Sequence, residues 1–398
     1  MTFGFSRMAR PFEDGTPIRG WHAHSRVARP FEGGTLRVFD GRVARPESSM
    51  GVAESLRRFP HPSRTLGVPP DRFYSIIDLL VDVAHCTRTF FYCTRTSNFM
   101  QNLITERTNP NSSDIDCLSA IEIVQLMNAE DAKVAAAVQK ELASIAPAAE
   151  SIAERLRKGG RLLYLGAGTS GRLGVLDASE CPPTFNTLPE QVVGIIAGGH
   201  RALTAAIEGA EDDELAAVED LKRHCLSAKD VLVGIASSGR TPYVISGLRY
   251  ARSLGAFTIG LTCNDDSELQ TWADIVIAPI VGPEVISGST RLKAGTATKM
   301  VLNILTTTSM VLLGKTYGNW MVDLRATNTK LKARSVRIVS AISGLDAEQA
   351  AERLQQCGGE VKTAIVAACR KTSPEIARGL LKESCGRLRV ALATSQIH

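Results

Sequence analysis

The sequence predicts an α/β protein: a parallel sheet with helices on both faces, followed by a small all-helical C-terminal module. Three observations carry this prediction. Five short apolar runs recur at Arg161–Gly166, Val192–Ala197, Val231–Ala236, Phe257–Leu261 and Ile275–Ile280. Stretches with helical spacing separate most of them, and buried strands alternating with helices are what a sheet covered on both faces requires. Beyond Leu313 the strand-like runs stop and amphipathic stretches follow.

In chain order, Val134, Val138, Leu142, Ile145, Ile152 and Leu156 recur at helical spacing and predict helix from Ala129 to Lys158, stopped by Gly159-Gly160. Between the strands, helices are expected at Ala202–Glu211, Glu214–His224 and Pro242–Leu254. A long amphipathic stretch from Gly295 to Leu313 closes the sheet unit. Helices near Asn328–Ile342, Ala347–Gln356, Val361–Cys369 and Pro374–Glu383 then build the terminal module. The resulting organisation is an atypical Arg-rich extension at residues 1–99, a sheet domain with N-terminal helices at 100–325 and a helical domain at 326–398.

At 398 residues, 44% apolar and 22% charged, the chain has ample material for a buried core. Its apolar stretches are interrupted well before the 18 or so residues of a membrane span, and the N-terminus has no signal-peptide pattern. A cytoplasmic protein without a membrane partner is expected, its nine cysteines reduced. The net charge of +5 suggests nucleic acid until it is divided along the chain. Residues 1–99 hold 14 Arg, no Lys and 9 acids, so the remainder carries 32 basic and 32 acidic residues. The body is neutral, and no nucleic-acid partner is expected.

The extension also holds 13 of the 21 aromatics and 8 of the 17 prolines. It repeats itself: Arg7-Met-Ala-Arg-Pro-Phe-Glu-Asp-Gly-Thr16 returns from Arg26 to Thr35 with two changes, and partially from Arg42 to Pro46. Spacings of 19 and 16 residues are too uneven for a solenoid. The segment reads as mostly disordered with a short helix at Ser75–Ala84, or as translated upstream sequence with synthesis starting near Met100. Aromatic and acidic residues interrupt the arginines, which disfavours an RNA-binding tail.

Two strands end in clusters that lead into helices: Gly166-Ala-Gly168-Thr169-Ser170-Gly171-Arg172 and Ala236-Ser237-Ser238-Gly239-Arg240-Thr241-Pro242. Glycine admits close backbone approach, Ser and Thr donate hydroxyls, and a helix N-terminus adds free N–H groups, so each cluster suits an anion. Either one alone is equally a capped tight turn; two in one sheet favour a ligand. The first has a Gly-x-Gly-x-x-Gly spacing, but the second strand ends in Gly198-Gly199-His200 where a dinucleotide site needs an acid, and the turn lacks the Gly-Lys-Ser/Thr that a triphosphate loop needs. A monophosphate ester fits better than NAD or ATP, without metal.

Asp177 and Glu180 follow in a segment that Pro182-Pro183 is expected to stop, which would hold a carboxylate near the first turn. Glu208 and Glu211-Asp212-Asp213 bring further acids, read either as a solvated helix terminus or as the partner in acid–base work. A third region from Gly282 to Thr296 holds Ser289, Arg291 and Lys293 ahead of a helix. It either binds the rest of a substrate or caps and salt-bridges that helix.

Leu-Gly-Ala-Gly-Thr-Ser-Gly-Arg-Leu-Gly (165–174), Asp-Ala-Ser-Glu-Cys-Pro-Pro-Thr (177–184), Ser-Gly-Arg-Thr-Pro-Tyr (238–243), Met-Val-Asp-Leu-Arg-Ala-Thr-Asn (321–328) and Leu-Ile-Thr-Glu-Arg-Thr-Asn (103–109) closely resemble the N-acetylmuramic acid 6-phosphate etherase family of the sugar isomerase (SIS) superfamily. The likeness runs from about Asn102 to the C-terminus. It implies an SIS-type fold, a homodimer, and a phosphorylated amino-sugar substrate whose D-lactyl ether at C3 is cleaved by elimination and hydration, with no cofactor and no metal. By the same likeness Glu180 is the proton donor and Glu211 the second catalytic carboxylate. Gly168, Thr169, Ser170, Ser237, Ser238, Gly239, Arg240, Thr241, Ser289, Arg291 and Lys293 are the substrate-binding candidates. A phosphosugar isomerase or a non-enzymatic sugar-phosphate regulator are the alternatives; D-lactate release separates the first, and a regulator would not need Glu180 and Glu211. Glu180→Gln is therefore expected to abolish lactate release while phosphosugar binding stays measurable, and full activity in that variant would overturn the assignment.

Overall fold

The computed structural model describes residues 103–324 and 329–393. The expectations for residues 1–99, including the helix at Ser75–Ala84, lie outside the described residues, as does Asn328.

The first helical region is three helices where the sequence predicts one: α1 (Ala120–Asp131), α2 (Val134–Lys140) and α3 (Leu142–Arg157). Ser119 and Glu122 form a capping box that starts α1 earlier than the apolar spacing alone indicates. Val134, Val138, Ile145, Ile152 and Leu156 are buried as their spacing requires, but the break before α3 turns Leu142 outward, 49% exposed.

The sheet contains β1 (Leu162–Gly166), β2 (Val192–Ile196), β3 (Val231–Ile235), β4 (Phe257–Leu261) and β5 (Ile275–Ile277), all parallel, in the order β2-β1-β3-β4-β5. β5 ends three residues earlier than expected because Ala278 donates its amide to Glu141 Oε2 (2.9 Å) and the next residue, Pro279, has none to give. Connecting these strands are α4 (Gly168–Phe185), α5 (Glu214–Arg223) and α6 (Pro242–Ser253), and α7 (Lys293–Leu312) follows β5.

Successive residues of a strand face opposite sides. Leu162, Tyr164, Val231 and Val233 therefore pack with α2, α3, α4 and α7, whereas Leu163, Leu165 and Leu232 pack with α5 and α6. α4 lies so near the sheet that a Cβ on Gly171 would stand 2.6 Å from both the Gly166 oxygen and Ile196 Cγ1. Glycine there is a packing requirement.

The helix expected at Ala202–Glu211 does not form. Two 3-10 turns, His200–Leu203 and Ala210–Asp212, flank an exposed stretch, and Gly209 adopts φ +71°. Only Ala202 within that range is buried, so no apolar stripe exists to dock a helix.

After a short hairpin of β6 (Thr316–Tyr317) and β7 (Trp320–Met321) come α8 (Thr329–Ser343), α9 (Ala347–Gln356), α10 (Val361–Cys369), α11 (Pro374–Glu383) and α12 (Leu388–Ala393). These helices share a third apolar core, which also takes in Tyr317, Trp320, Met321, Val322 and Leu324. Among the described residues no helix is long and apolar enough to cross a membrane.

A buried ion pair ties α1 to α7: Lys293 Nζ lies 2.6 Å from Glu130 Oε2, with both side chains at most 3% exposed. Lys133 and Asn111 also donate to Glu130. Burial alone would raise the Glu130 carboxyl, but the bonds from Lys133, Lys293, Asn111 and Asn109 hold it at about 2, below its ordinary 4.5. A depressed carboxyl stabilises the fold above its ordinary value, and that contribution fades as pH falls from 4.5 towards about 2. Glu130→Gln, which removes the carboxylate paired with the buried Lys293 ammonium, should cost about 3–5 kcal/mol at neutral pH. Urea unfolding of both proteins should show the gap narrowing below pH 4.5; a gap that does not depend on pH would contradict this account.

Candidate functional site

β1 and β3 are neighbours, yet α4 leaves β1 towards one face of the sheet and α6 leaves β3 towards the other. A crevice opens beyond the carboxyl ends of two strands whose connections part in this way. Both hydroxyl-rich turns lie there, residues 166–172 after β1 and 236–242 after β3.

The helix N-termini at the crevice are uncapped. α4 follows Ala167, which has no side-chain oxygen, and the Thr241 hydroxyl does not cap α6. At α5 and α7 the protein supplies its own anions: Asp213 Oδ1 accepts from Ala216 N in α5 at 2.9 Å, and Glu284 accepts from Lys293 N at 3.0 Å and Ala294 N at 2.9 Å in α7. The positive ends of α4 and α6 have no such carboxylate, and the first amides of α4, those of Gly168, Thr169 and Ser170, have no i−4 carbonyl to bond.

The hydroxyls of Thr169, Ser170, Ser237 and Thr241 make no hydrogen bond with another described residue. Ser238 Oγ accepts from Arg240 N at 3.3 Å. Gly168 is exposed with φ +52° and open space beside it, whereas a Cβ on Gly239 (φ +70°) would come within 2.2 Å of Ser267 Cβ. Arg240 reaches the Asp266 carbonyl with Nη2 at 3.3 Å.

The third region divides between its two readings. Ser289 is half-buried and Arg291 exposed at the start of α7, and Thr169 Cγ2 reaches within 3.5 Å of a Cβ built on Gly295, so this region adjoins the first turn. Lys293, however, turns inward to Glu130, and the structure places it as the salt bridge of α7 and not as a ligand at the crevice.

Among the acids, Glu211 is exposed in the 3-10 turn Ala210–Asp212, which packs against α6. Arg172, from the first turn's own motif, donates Nε to Leu203 O (3.2 Å) and Nη2 to Ala205 O (3.1 Å). It thereby ties the stretch leading to Glu211 to α4. Sequence reasoning missed this role, because nothing in the spacing of Arg172 says which carbonyls it meets.

Asp177 and Glu180 are not at the mouth of the first turn, as their closeness in sequence suggested. Asp177 is buried and accepts from Tyr164 OH (2.8 Å), Asn303 Nδ2 (2.7 Å) and Thr306 Oγ1 (3.3 Å). Burial raises its carboxyl above the usual range despite those bonds. It joins β1, α4 and α7. Glu180 is exposed, twelve residues along α4 from Gly168, and a rise of 1.5 Å per residue puts it about 18 Å away. Pro182 and Pro183 do not stop the helix before its last turn, which ends with Asn186 in the left-handed region.

A family model described as the glucokinase regulatory protein N-terminal SIS domain matches residues 144–252, and an SIS domain model matches residues 216–308. The chain is 63% identical over 297 residues to N-acetylmuramic acid 6-phosphate etherase of Rhodopirellula baltica, covering 75% of this chain and 98% of that one. It belongs to the N-acetylmuramic acid 6-phosphate etherase family. Family members from Clostridium beijerinckii (54% identical, 74% of this chain and 96% of theirs) and Photorhabdus laumondii (51%, 74% and 98%) agree. Membership of this etherase family accounts for the parallel sheet and both hydroxyl turns within one SIS-type domain.

Arg172→Met should lower kcat for the family's reaction by about 10²-fold, the scale of an ångström-sized misplacement, with KM little changed and Arg172→Lys recovering part of the loss. A change in melting temperature with kcat intact would instead mark Arg172 as purely structural.

Proposed function

We propose that this protein cleaves the D-lactyl ether of N-acetylmuramate 6-phosphate, giving N-acetylglucosamine 6-phosphate and D-lactate, in the cytoplasm and as a homodimer. The observation that carries this reading is the pair of uncapped, hydroxyl-lined turns at the β1/β3 crevice in a chain so similar to proteins bearing that name. The phosphate would lie against the amides of Gly168, Thr169 and Ser170, with the hydroxyls of Ser170, Ser237, Ser238 and Thr241 donating to its oxygens. Gly239, Arg240, Ser289 and Arg291 would border the rest of the sugar.

In the open-chain sugar the C1 aldehyde acidifies the C2 proton. A base removes that proton as the C3–O bond breaks, the electron pair forms the C2=C3 double bond, and an acid protonates the departing lactate oxygen. Water then returns a proton to C2 and its oxygen to C3, so the net change is hydrolysis of the ether. Glu211, on the segment held by Arg172, supplies one of the two carboxylates.

Glu180 supplies the other from the second subunit. Six single bonds separate phosphorus from the ether oxygen, at most about 9 Å at about 1.5 Å each. The phosphate cradle and Glu180 of one chain are about 18 Å apart along α4, too far for one monosaccharide to span. The face of α4 that carries Glu180 also exposes Leu176 (49%), with Leu188 (59%) just beyond the helix, apolar surface suited to a second copy.

Two measurements test the proposal. D-lactate should appear when the protein is incubated with N-acetylmuramate 6-phosphate; isomerisation of a phosphosugar without lactate would overturn it. Co-expression of Glu180→Gln with Gly168→Asp, which sets a carboxylate at the open mouth of the cradle, should restore about a quarter of wild-type activity from two inactive parents, because half of the two-fold dimers are mixed and each has one intact site. No recovery would place both residues in a single-chain site.

A further inference from the structure

The segment Leu103–Asn109 crosses the C-terminal edge of the sheet between two buried anchors. Thr105, 1% exposed, accepts from Asn264 Nδ2 at its hydroxyl (3.1 Å) and donates its amide to Asn264 Oδ1 (3.4 Å). The same Asn264 Nδ2 donates to the Ser237 carbonyl at 2.8 Å, so a single side chain separates Thr105 from the second hydroxyl turn. At the other end Asn109 Nδ2 donates to Pro283 O at 3.0 Å, in the connection that leads to Ser289 and Arg291.

Between these anchors Glu106, Arg107 and Thr108 are exposed. Glu106 stands beside Gly288, where a Cβ would lie 3.1 Å from Glu106 Oε2; glycine at 288 leaves room for the carboxylate. That carboxylate has no hydrogen bond or ion pair with another described residue. An acceptor-only group is thus carried, unpaired, on an anchored backbone beside Gly288.

We propose that Glu106 is a third carboxylate of the substrate site and accepts hydrogen bonds from the hydroxyl or acetamido N–H groups at the sugar end of the substrate. This rests on the reading of the crevice as a phosphosugar site. A carboxylate and a phosphate dianion are both acceptors only, so Glu106 cannot serve the phosphate; the sugar is the part of the ligand with protons to offer. Its anchoring suits specificity, because the backbone is fixed before the ligand arrives and little ordering remains to be done on binding.

Calorimetric titration of wild type, Glu106→Gln and Glu106→Ala with two probes tests the proposal. N-acetylglucosamine 6-phosphate should bind both variants about tenfold or more weakly, the effect of losing a hydrogen bond to a charged acceptor. Inorganic phosphate should bind all three proteins within about twofold of each other, and KM for the lactyl ether should rise in parallel. Unchanged binding of the sugar phosphate, or equal loss of both probes, would overturn the assignment. If the wild type bound the sugar phosphate but released no lactate, only the etherase reaction would fall, and the binding comparison would still decide the role of Glu106. Failure of the wild type to bind the sugar phosphate would refute both.

Discussion

Where α4 leaves β1 for one face of the sheet and α6 leaves β3 for the other, the chain cannot fill the gap between them, and two helix N-termini are left facing it. The proposed site is arranged around that gap. Gly171 lets α4 press onto Gly166 and Ile196, which fixes the first turn against β2. Asn264 joins the second turn to the N-terminal segment, and Arg172 brings in the stretch before Glu211. Each tie runs between elements that are distant in sequence, so the geometry of the crevice depends on the completed fold.

That dependence explains which features could be read from residues alone. The strands and most helices were legible because burial imposes a period of two or of 3.6 on the apolar residues, and both turns were legible because Gly, Ser and Thr mark them. The helix expected at Ala202–Glu211 failed because periodic alanines are not a buried stripe unless something lies opposite them. The break at Leu142 and the early end of β5 both turn on Glu141, which separates α2 from α3 and draws Ala278 out of the ladder. Neither effect has a local signature. In the site, the hydroxyls could be read but their connections could not: Arg172, Thr105 and Asn264 act through partners 27 to 159 residues away. The inward turn of Lys293 likewise depended on Glu130, 163 residues distant.

The length of α4 has its own consequence. A single helix offers its N-terminus to the crevice and Glu180 near its far end, about 18 Å away, with Asp177 locked between them to Tyr164, Asn303 and Thr306. The lock ties the middle of the helix to β1 and α7. In the proposed homodimer, two-fold pairing of such helices would let each supply the cradle of one site and the carboxylate of the other, and a C2 arrangement would do this for both sites at once. The helix need not bend for either task.

The electrostatics follow the same economy. Glu284 occupies the N-terminus of α7 and Asp213 that of α5, whereas the N-termini of α4 and α6 at the crevice carry no such carboxylate. Lys293 is withdrawn to Glu130, Arg172 is turned to the carbonyls of Leu203 and Ala205, and in the proposed site the groups that would meet the phosphate are hydroxyls and amides. In the proposed site, neutral donors would hold the phosphate without fixing a large positive potential next to the two proposed carboxylates. A strong cation there would depress those carboxyls and disfavour the protonated form that must hand a proton to the leaving oxygen. A neutral cradle and acidic catalysts are therefore compatible in a way that a lysine-lined cradle and the same catalysts would not be.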